Sequence, residues 1–240
     1  MNPVVDIRNV HKIYTRGSEK LDVLKGVTIQ VAQGEFLALM GPSGSGKTTL
    51  LNLMAGIDTP TSGDVTVNGR DIGKMGEDQL AAWRTRNVGY VFQSFNLVPV
   101  LTAYENVELP LLLLPIDRKR RHEQVMTALE VVGLAERKKH LPSQLSGGQE
   151  QRVAIARAIA TDPALVLGDE PTGDLDRENA ESMMELITTL CQEFQKTFVI
   201  VTHDPKVAER ASRVLHMDKG ILVENQPAQG KSAPPAESRQ

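Results

Sequence analysis

Three short stretches of this 240-residue chain hold most of the side chains that could do chemistry. The first is Gly41-Pro42-Ser43-Gly44-Ser45-Gly46-Lys47-Thr48-Thr49. It fits the pattern G-x-x-x-x-G-K-[ST], a loop whose backbone N–H groups converge on a phosphate. Lys47 adds a point charge for β- and γ-phosphates, and Thr48 offers a hydroxyl to Mg²⁺. The helix that follows turns its positive end to the same anion. The second stretch is Asp169-Glu170, at the end of the apolar run Leu165 to Gly168. On its own, such a pair is a solvated turn. Beside a phosphate loop, Asp169 can orient Mg²⁺ through water, and Glu170 can polarise a water for in-line attack. The third is Leu145-Ser146-Gly147-Gly148-Gln149. Here Ser146 can cap a helix while two glycines expose N–H groups at its positive end. That makes a second anion site on a separate segment.

These residues need elements to hold them. Val5, Ile7, Val10 and Ile13 predict a first strand with a slip near Asn9, followed by a polar turn from Thr15 to Lys20. A second strand is expected at about Val23 to Val31, and Glu35 to Met40 leads into the phosphate loop. Asn68-Gly69 after Val65 and Val67 is the preferred pair for a type I′ hairpin. Asp78 to Arg86 looks helical, and Val88 to Phe92 is a short strand ending at Gln93. Thr102-Ala103-Tyr104-Glu105 is a capping box. Helices are expected from Asp117 to Val132 and from about Gly147 to Ala160. A further helix, Asp176 to Phe194, carries Met183, Ile187, Leu190, Cys191 and Phe194 at helical spacing. The β-branched run Thr197 to Val201 is a buried strand ending at His203. A short helix around Pro205 to Ala211 and a hairpin, Arg213 to Glu224, complete the series. Strands alternate with helices in the frame, while residues 94 to 160 are mostly helical. The fold class is therefore α/β, with antiparallel strands near the N-terminus and an inserted helical subdomain at about 94–160. Residues 226–240, rich in Pro, Ala, Gly, Ser and Gln, read as a disordered tail.

Composition narrows the function classes. A net charge of −3 gives no global field for nucleic acid, so no nucleic-acid partner is expected. Cys191 stands alone, which excludes an intrachain disulfide. Met1 to Asp6 shows no signal-peptide pattern. The longest apolar block, Leu109 to Ile116, is eight residues with two prolines, too short to span a bilayer. The run Arg118-Lys119-Arg120-Arg121 reads as a solvated helix face, and His11, His122, His140 and His216 show no metal-ligand spacing.

Together the three stretches resemble the Walker A, signature and Walker B motifs of ABC ATPases, and their order fits. The resemblance runs from about Val4 to Val223 and implies a P-loop NTPase with a RecA-like core, the ATPase domain spanning 1–225. It implies further that ATP and Mg²⁺ bind at Gly41, Ser43, Gly44, Ser45, Gly46, Lys47, Thr48 and Thr49. Tyr14 matches the aromatic that stacks on adenine. Gln93 matches the glutamine that touches Mg²⁺ and the attacking water, so Thr48, Gln93 and Asp169 form the implied metal set. Glu170 is the implied general base and His203 the γ-phosphate switch. Gly173-Asp174-Leu175-Asp176 matches the loop that crosses the dimer interface. In that family Ser146 and Gly148 of one chain grip the nucleotide of another, which implies a homodimer.

The stretches Gly89 to Leu97 and Leu101 to Val107 are similar to the LolD and MacB group, which serves lipoprotein release and macrolide export. That implies a membrane permease with a large periplasmic domain, and a peripheral place on the cytoplasmic face of the inner membrane. Leu97 to Leu114 is then the expected docking groove. A similar ATPase of FtsE type, which regulates cell-wall hydrolases, is the alternative. Glu150, Gly168 and Asp174 depart from the group's usual residues.

Overall fold

The computed structural model describes residues 3–224. The expected disordered tail, 226–240, lies outside the described residues.

Two sheets share the chain. The first is antiparallel, in the order β2-β1-β4-β5, from β1 (Val5–Arg16), β2 (Glu19–Val31), β4 (Ser62–Val67) and β5 (Arg70–Asp71). The second has the order β10-β9-β3-β8-β7-β6. Its strands are β3 (Phe36–Met40), β6 (Val88–Val91), β7 (Leu165–Asp169), β8 (Thr197–Val201), β9 (Arg213–Asp218) and β10 (Ile221–Glu224). From β9 to β6 neighbours are parallel, and β10 closes the edge antiparallel to β9. Helix α1 (Lys47–Met54) follows β3, and α2 (Glu77–Asn87) precedes β6. Between β6 and β7 the regular elements are all helical: α3 (Ala103–Glu108), α4 (Arg118–Val131), α5 (Gly147–Ile159) and short 3-10 segments. Helices α6 (Arg177–Phe194) and α7 (Pro205–Arg210) flank β8 in sequence.

The central parallel strands β3, β7 and β8 are buried on both faces, as βαβ layering requires. Side chains alternate between two cores. Leu37, Leu39, Leu165, Leu167, Val199 and Val201 face α1 and the antiparallel sheet. Phe36, Val166, Phe198 and Ile200 face α4, α5 and α6. Each fully buried aliphatic contributes about 1.5–3 kcal/mol relative to exposure, so the parallel sheet is the rigid middle layer. The slip near Asn9 is a bulge, with Asn9 at φ 46° between shifted registers. Thr102 accepts from the Glu105 N–H, and Glu105 returns to the Thr102 N–H, as the capping box predicts.

Three expectations need correction. Thr15 to Lys20 is not an open turn, because the strands pair out to Arg16 and Glu19. Gly17, at φ 62°, allows a tight reversal that ladder hydrogen bonds then reward despite the polar sequence. Phe194 is 50% exposed, since α6 ends there, beyond the core, with Gln195 in the left-handed region. Arg121 leaves the solvated run: its Nε donates to Glu108 Oε1 at 2.6 Å, tying α4 to α3.

Candidate functional site

The carboxyl ends of the parallel strands carry the predicted chemistry in an order the sequence does not follow. Along the sheet, β3 opens into Gly41 to Lys47, β8 into His203, β7 into Asp169 and Glu170, and β6 into Gln93. Strands lie about 4.8 Å apart, so three steps set these loops in a row about 14 Å long. Ligands of parallel α/β sheets bind at this edge.

A cleft of about 900 Å³ opens there. Its lining includes Tyr14, Gly41, Ser43, Gly44, Gly46, Lys47, Thr48, Thr49, Gln93, Asp169, Glu170 and His203. Gly41 has φ 145°, and a Cβ there would fall 2.1 Å from the Met217 carbonyl oxygen, so only glycine fits. Lys47 Nζ donates to the Gly41 and Pro42 carbonyls at 2.8 and 2.9 Å, which holds the ammonium within the loop. The Thr48 hydroxyl lies 3.5 Å from Asp169 Oδ1 and joins the β3 and β7 loops. Burial pushes the Asp169 carboxyl above its ordinary value; the Thr48 hydroxyl opposes this, and the Glu170 charge adds to it. A desolvated carboxylate beside a hydroxyl is a hard-oxygen pair that gains from a divalent cation. The residues present therefore fit Mg²⁺.

Glu170 is held twice. Its N–H donates to the Val201 carbonyl at 3.0 Å, and Oε2 lies 2.8 Å from His203 Nδ1. Its φ of 50° is left-handed, an uncommon state for a non-glycine residue and one that clusters at working sites. The Glu170 hydrogen bond, and then its charge, raise the His203 pKa above the ordinary imidazole value.

The profile of the family described as ABC transporter matches residues 24–173. The chain belongs to the ABC transporter family. This ABC ATPase is 47% identical over 220 residues to the uncharacterized ABC transporter ATP-binding protein YknY of Bacillus subtilis, covering 92% of this chain and 95% of that protein. It is 46% identical to the lipoprotein-releasing system ATP-binding protein LolD of Bordetella pertussis, with the same coverage. Among solved structures it is similar to the ATP-binding cassette MJ0796, a dimer in a post-hydrolysis state bound to ADP and Pi. That likeness has a TM-score of 0.82 at 41% identity and covers 92% of this chain and 98% of the other. The fold is the α/β P-loop fold of these cassettes, and the activity is that of an ATP-binding, ATP-hydrolysing subunit.

Three of the ABC ATPase's predicted site residues, Ser45, Ser146 and Gly148, sit apart from the cleft lining. Ser45 is buried behind the loop, and its hydroxyl has no hydrogen-bond partner. Gly148, in the first turn of α5, is buried against Asn179. Ser146 caps α5, exposed, accepting from the Gln149 N–H at 3.3 Å. Gln93 lines the cleft, but its Nε2 donates to Asp174 Oδ1 at 3.0 Å, which leaves the amide oxygen as its available ligand.

Other contributors carried no motif. Leu21, Val23, Phe92, Ser94 and Asn96 also line the cleft. Leu21 pairs across the hairpin with Tyr14, so the two share a face, a relation visible only once the register is known. Gln151 is fully buried and donates to the Pro171 and Phe92 carbonyls. Its signal was a polar residue on an otherwise apolar helix face.

Proposed function

We propose that this ABC ATPase acts as a homodimer with composite ATP sites and drives a membrane permease of LolD or MacB type. Residues 1–225 form the ATPase unit, with the helical insertion at about 94–160. The single observation that carries the composite site is the split of the motif residues. Lys47, Thr48, Gln93, Asp169, Glu170 and His203 share one cleft, whereas Ser146, Gly147 and Gly148 lie outside its lining. A second copy, facing head to tail, supplies the missing helix N-terminus.

In this reading the phosphates of ATP lie in the 41–49 loop and the base on Tyr14. Mg²⁺, when bound, neutralises phosphate charge and polarises the phosphoryl oxygens. Thr48, Asp169 and the Gln93 amide oxygen would hold it. Glu170 takes a proton of the attacking water as its oxygen bonds to the γ-phosphorus and the bond from that phosphorus to the bridging oxygen of the departing ADP breaks. His203, with Nδ1 engaged by Glu170, keeps Nε2 for the γ-phosphate, and the raised imidazole pKa favours the charged donor.

The membrane partner docks between Leu97 and Leu114. Val98, Val100, Leu112 and Leu113 are exposed there, the last 73%. Apolar surface on this scale marks an interaction site. Among the described residues no helix is long and apolar enough to cross a membrane. The likeness to relatives named as lipoprotein-releasing system ATP-binding proteins supports peripheral attachment, through the permease, at the cytoplasmic face of the inner membrane. The permease carries the large periplasmic domain and chooses the substrate. The likeness to relatives named LolD, at 46% identity, supports the release or export reading, and an FtsE-type complex regulating cell-wall hydrolases is the alternative.

Glu170→Gln tests the whole reading. It should bind ATP, hydrolyse it at least about a hundredfold more slowly, and elute as a dimer with saturating ATP and Mg²⁺. A variant that stays monomeric under those conditions rules out the composite site.

A further inference from the structure

Tyr14 is tightly held at the mouth of the cleft. Its hydroxyl donates to Asp58 Oδ2 at 2.6 Å, and Asp58 Oδ1 accepts from Lys12 Nζ at 2.6 Å. Lys12 is only 9% exposed and donates again to the Thr59 carbonyl at 2.8 Å. The same ammonium lies over the Tyr14 ring, 4.7 Å from its centre. Lys12 and Tyr14 lie two residues apart on β1, on either side of a register shift between Lys12 and Ile13, and the ammonium still meets the ring. Neighbouring bonds join the same two segments. Thr61 Oγ1 accepts from the Ile13 N–H at 2.9 Å, and the Thr61 N–H donates to the His11 carbonyl at 2.9 Å.

This arrangement does two things to the ring. A cation over one face is attracted by the ring quadrupole and covers that face. Tyr14 nonetheless lines the cleft and is 39% exposed, so the opposite face is the one on offer. The cluster also fixes the height of the ring above the phosphate loop. Helix α1 begins at Lys47 and Thr48, and the chain leaving its far end carries Asp58. Eight residues of helix span about 12 Å. One rigid element therefore registers the phosphate cradle against the ring. Neither Lys12 nor Asp58 lines the cleft.

From this geometry we infer that Asp58 and Lys12 are positioning residues for the nucleotide base, locking the Tyr14 ring in the orientation that stacks on adenine. The inference rests on the reading of Tyr14 as the base platform. Burial alone would raise the Asp58 carboxyl, but hydrogen bonds from Lys12, Tyr14 and the Thr59 N–H bring it below its ordinary value. The anchor thus stays ionised wherever the protein works.

The test is the dissociation constant for ATP, measured by calorimetry on the full chain, with inorganic tripolyphosphate as a base-free probe. Tyr14→Ala should weaken ATP binding about tenfold, the loss of one base–aromatic stack. Asp58→Ala and Lys12→Met should each weaken it about three- to tenfold. Tripolyphosphate binding should stay within about twofold in Asp58→Ala and Lys12→Met, whose side chains bond no residue of the 41–49 loop. Asp58→Asn keeps an acceptor for the Tyr14 hydroxyl and should recover about half of the loss in logarithmic terms. In a Tyr14→Ala background, Asp58→Ala should add nothing. If Tyr14→Ala leaves ATP affinity unchanged, the platform reading fails and takes this one with it. If Tyr14→Ala weakens binding while Asp58→Ala and Lys12→Met do not, only the positioning role fails. It also fails if Asp58→Ala weakens ATP and tripolyphosphate equally, or if its effect survives without Tyr14.

Discussion

Gly148→Ala probes the packing beneath the Ser146 cap, and its effect can be sized from the neighbours. A Cβ on Gly148 would lie 2.0 Å from Asn179 Oδ1, 2.5 Å from its Cγ and 3.1 Å from its Cβ. Asn179 can swing its amide aside, but it then gives up the bond from Nδ2 to Asp176 Oδ2 at 2.8 Å. Its own Cβ remains too close. Overpacking of this kind costs about 1–3 kcal/mol, and the exposed hydrogen bond adds about 0.5 kcal/mol. Replacing glycine by alanine in a helix returns at most about 1 kcal/mol. The net loss is about 1–2 kcal/mol. For a chain of this size that lowers the melting temperature by about 3–6 °C in a calorimetric scan. Asn179→Ala removes the obstruction and should recover most of the loss in the double variant. Gly147→Ala is the control. Its Cβ would meet Phe95 Cζ at 3.6 Å, an ordinary contact, so its melting temperature should move by less than about 2 °C. If Gly148→Ala melts with the parent, or the double variant shows no recovery, the packing argument is wrong. The double variant has a second use. Once stability is restored, any remaining loss of ATPase belongs to the place of the glycine at the nucleotide rather than to the fold.

Two further outcomes follow from the same site. His203 should titrate above its ordinary 6.5, as read from its ring-proton NMR shifts, and fall back toward that value in Glu170→Gln. Because the folded value is raised, the pair stabilises the fold below 6.5 and is lost as pH climbs through the folded pKa. Identical titrations in parent and variant would remove Glu170 as the cause. Arg157 donates from Nη1 to the Asn96 carbonyl at 2.6 Å and from Nη2 to the Phe95 carbonyl at 3.0 Å. Arg157→Met should cost about 1–3 kcal/mol and speed amide exchange at residues 94–98. Unchanged exchange there would mean that the loop is held by other contacts.

What could be read from the sequence was what repeats locally. An apolar run that stops at a polar residue marks the mouth of a buried strand, so Lys47, Gln93, Asp169, Glu170 and His203 were all visible. Ser146 was visible as a helix cap and Asp176 as a helix start. Sheet order was not. In sequence four strands separate β3 from β8, yet in the sheet β8 lies directly between β3 and β7, and that brings His203 to Glu170. Lys12, Asp58 and Tyr14 meet across more than forty residues, so no local spacing signals them. Asp174 was noticed as unusual, but its bond to Gln93 spans 81 residues. Phe194 misled because helical spacing continues past the point where a core ends.

The row of strand ends also explains why loops distant in sequence can act together. Each gap in the row is bridged by a side chain. Thr48 reaches over β8 to Asp169, Glu170 meets His203, and Gln93 meets Asp174 just beyond β7. Gln151 adds a buried brace, holding Phe92 next to Gln93 and Pro171 next to Glu170 from within α5. That helix begins at the Ser146 cap. Gln151 thus ties the helix that carries the Ser146 cap to both loops through one side chain. The loops from the phosphate cradle to Gln93 are tied into one hydrogen-bonded row along the carboxyl edge of the parallel sheet.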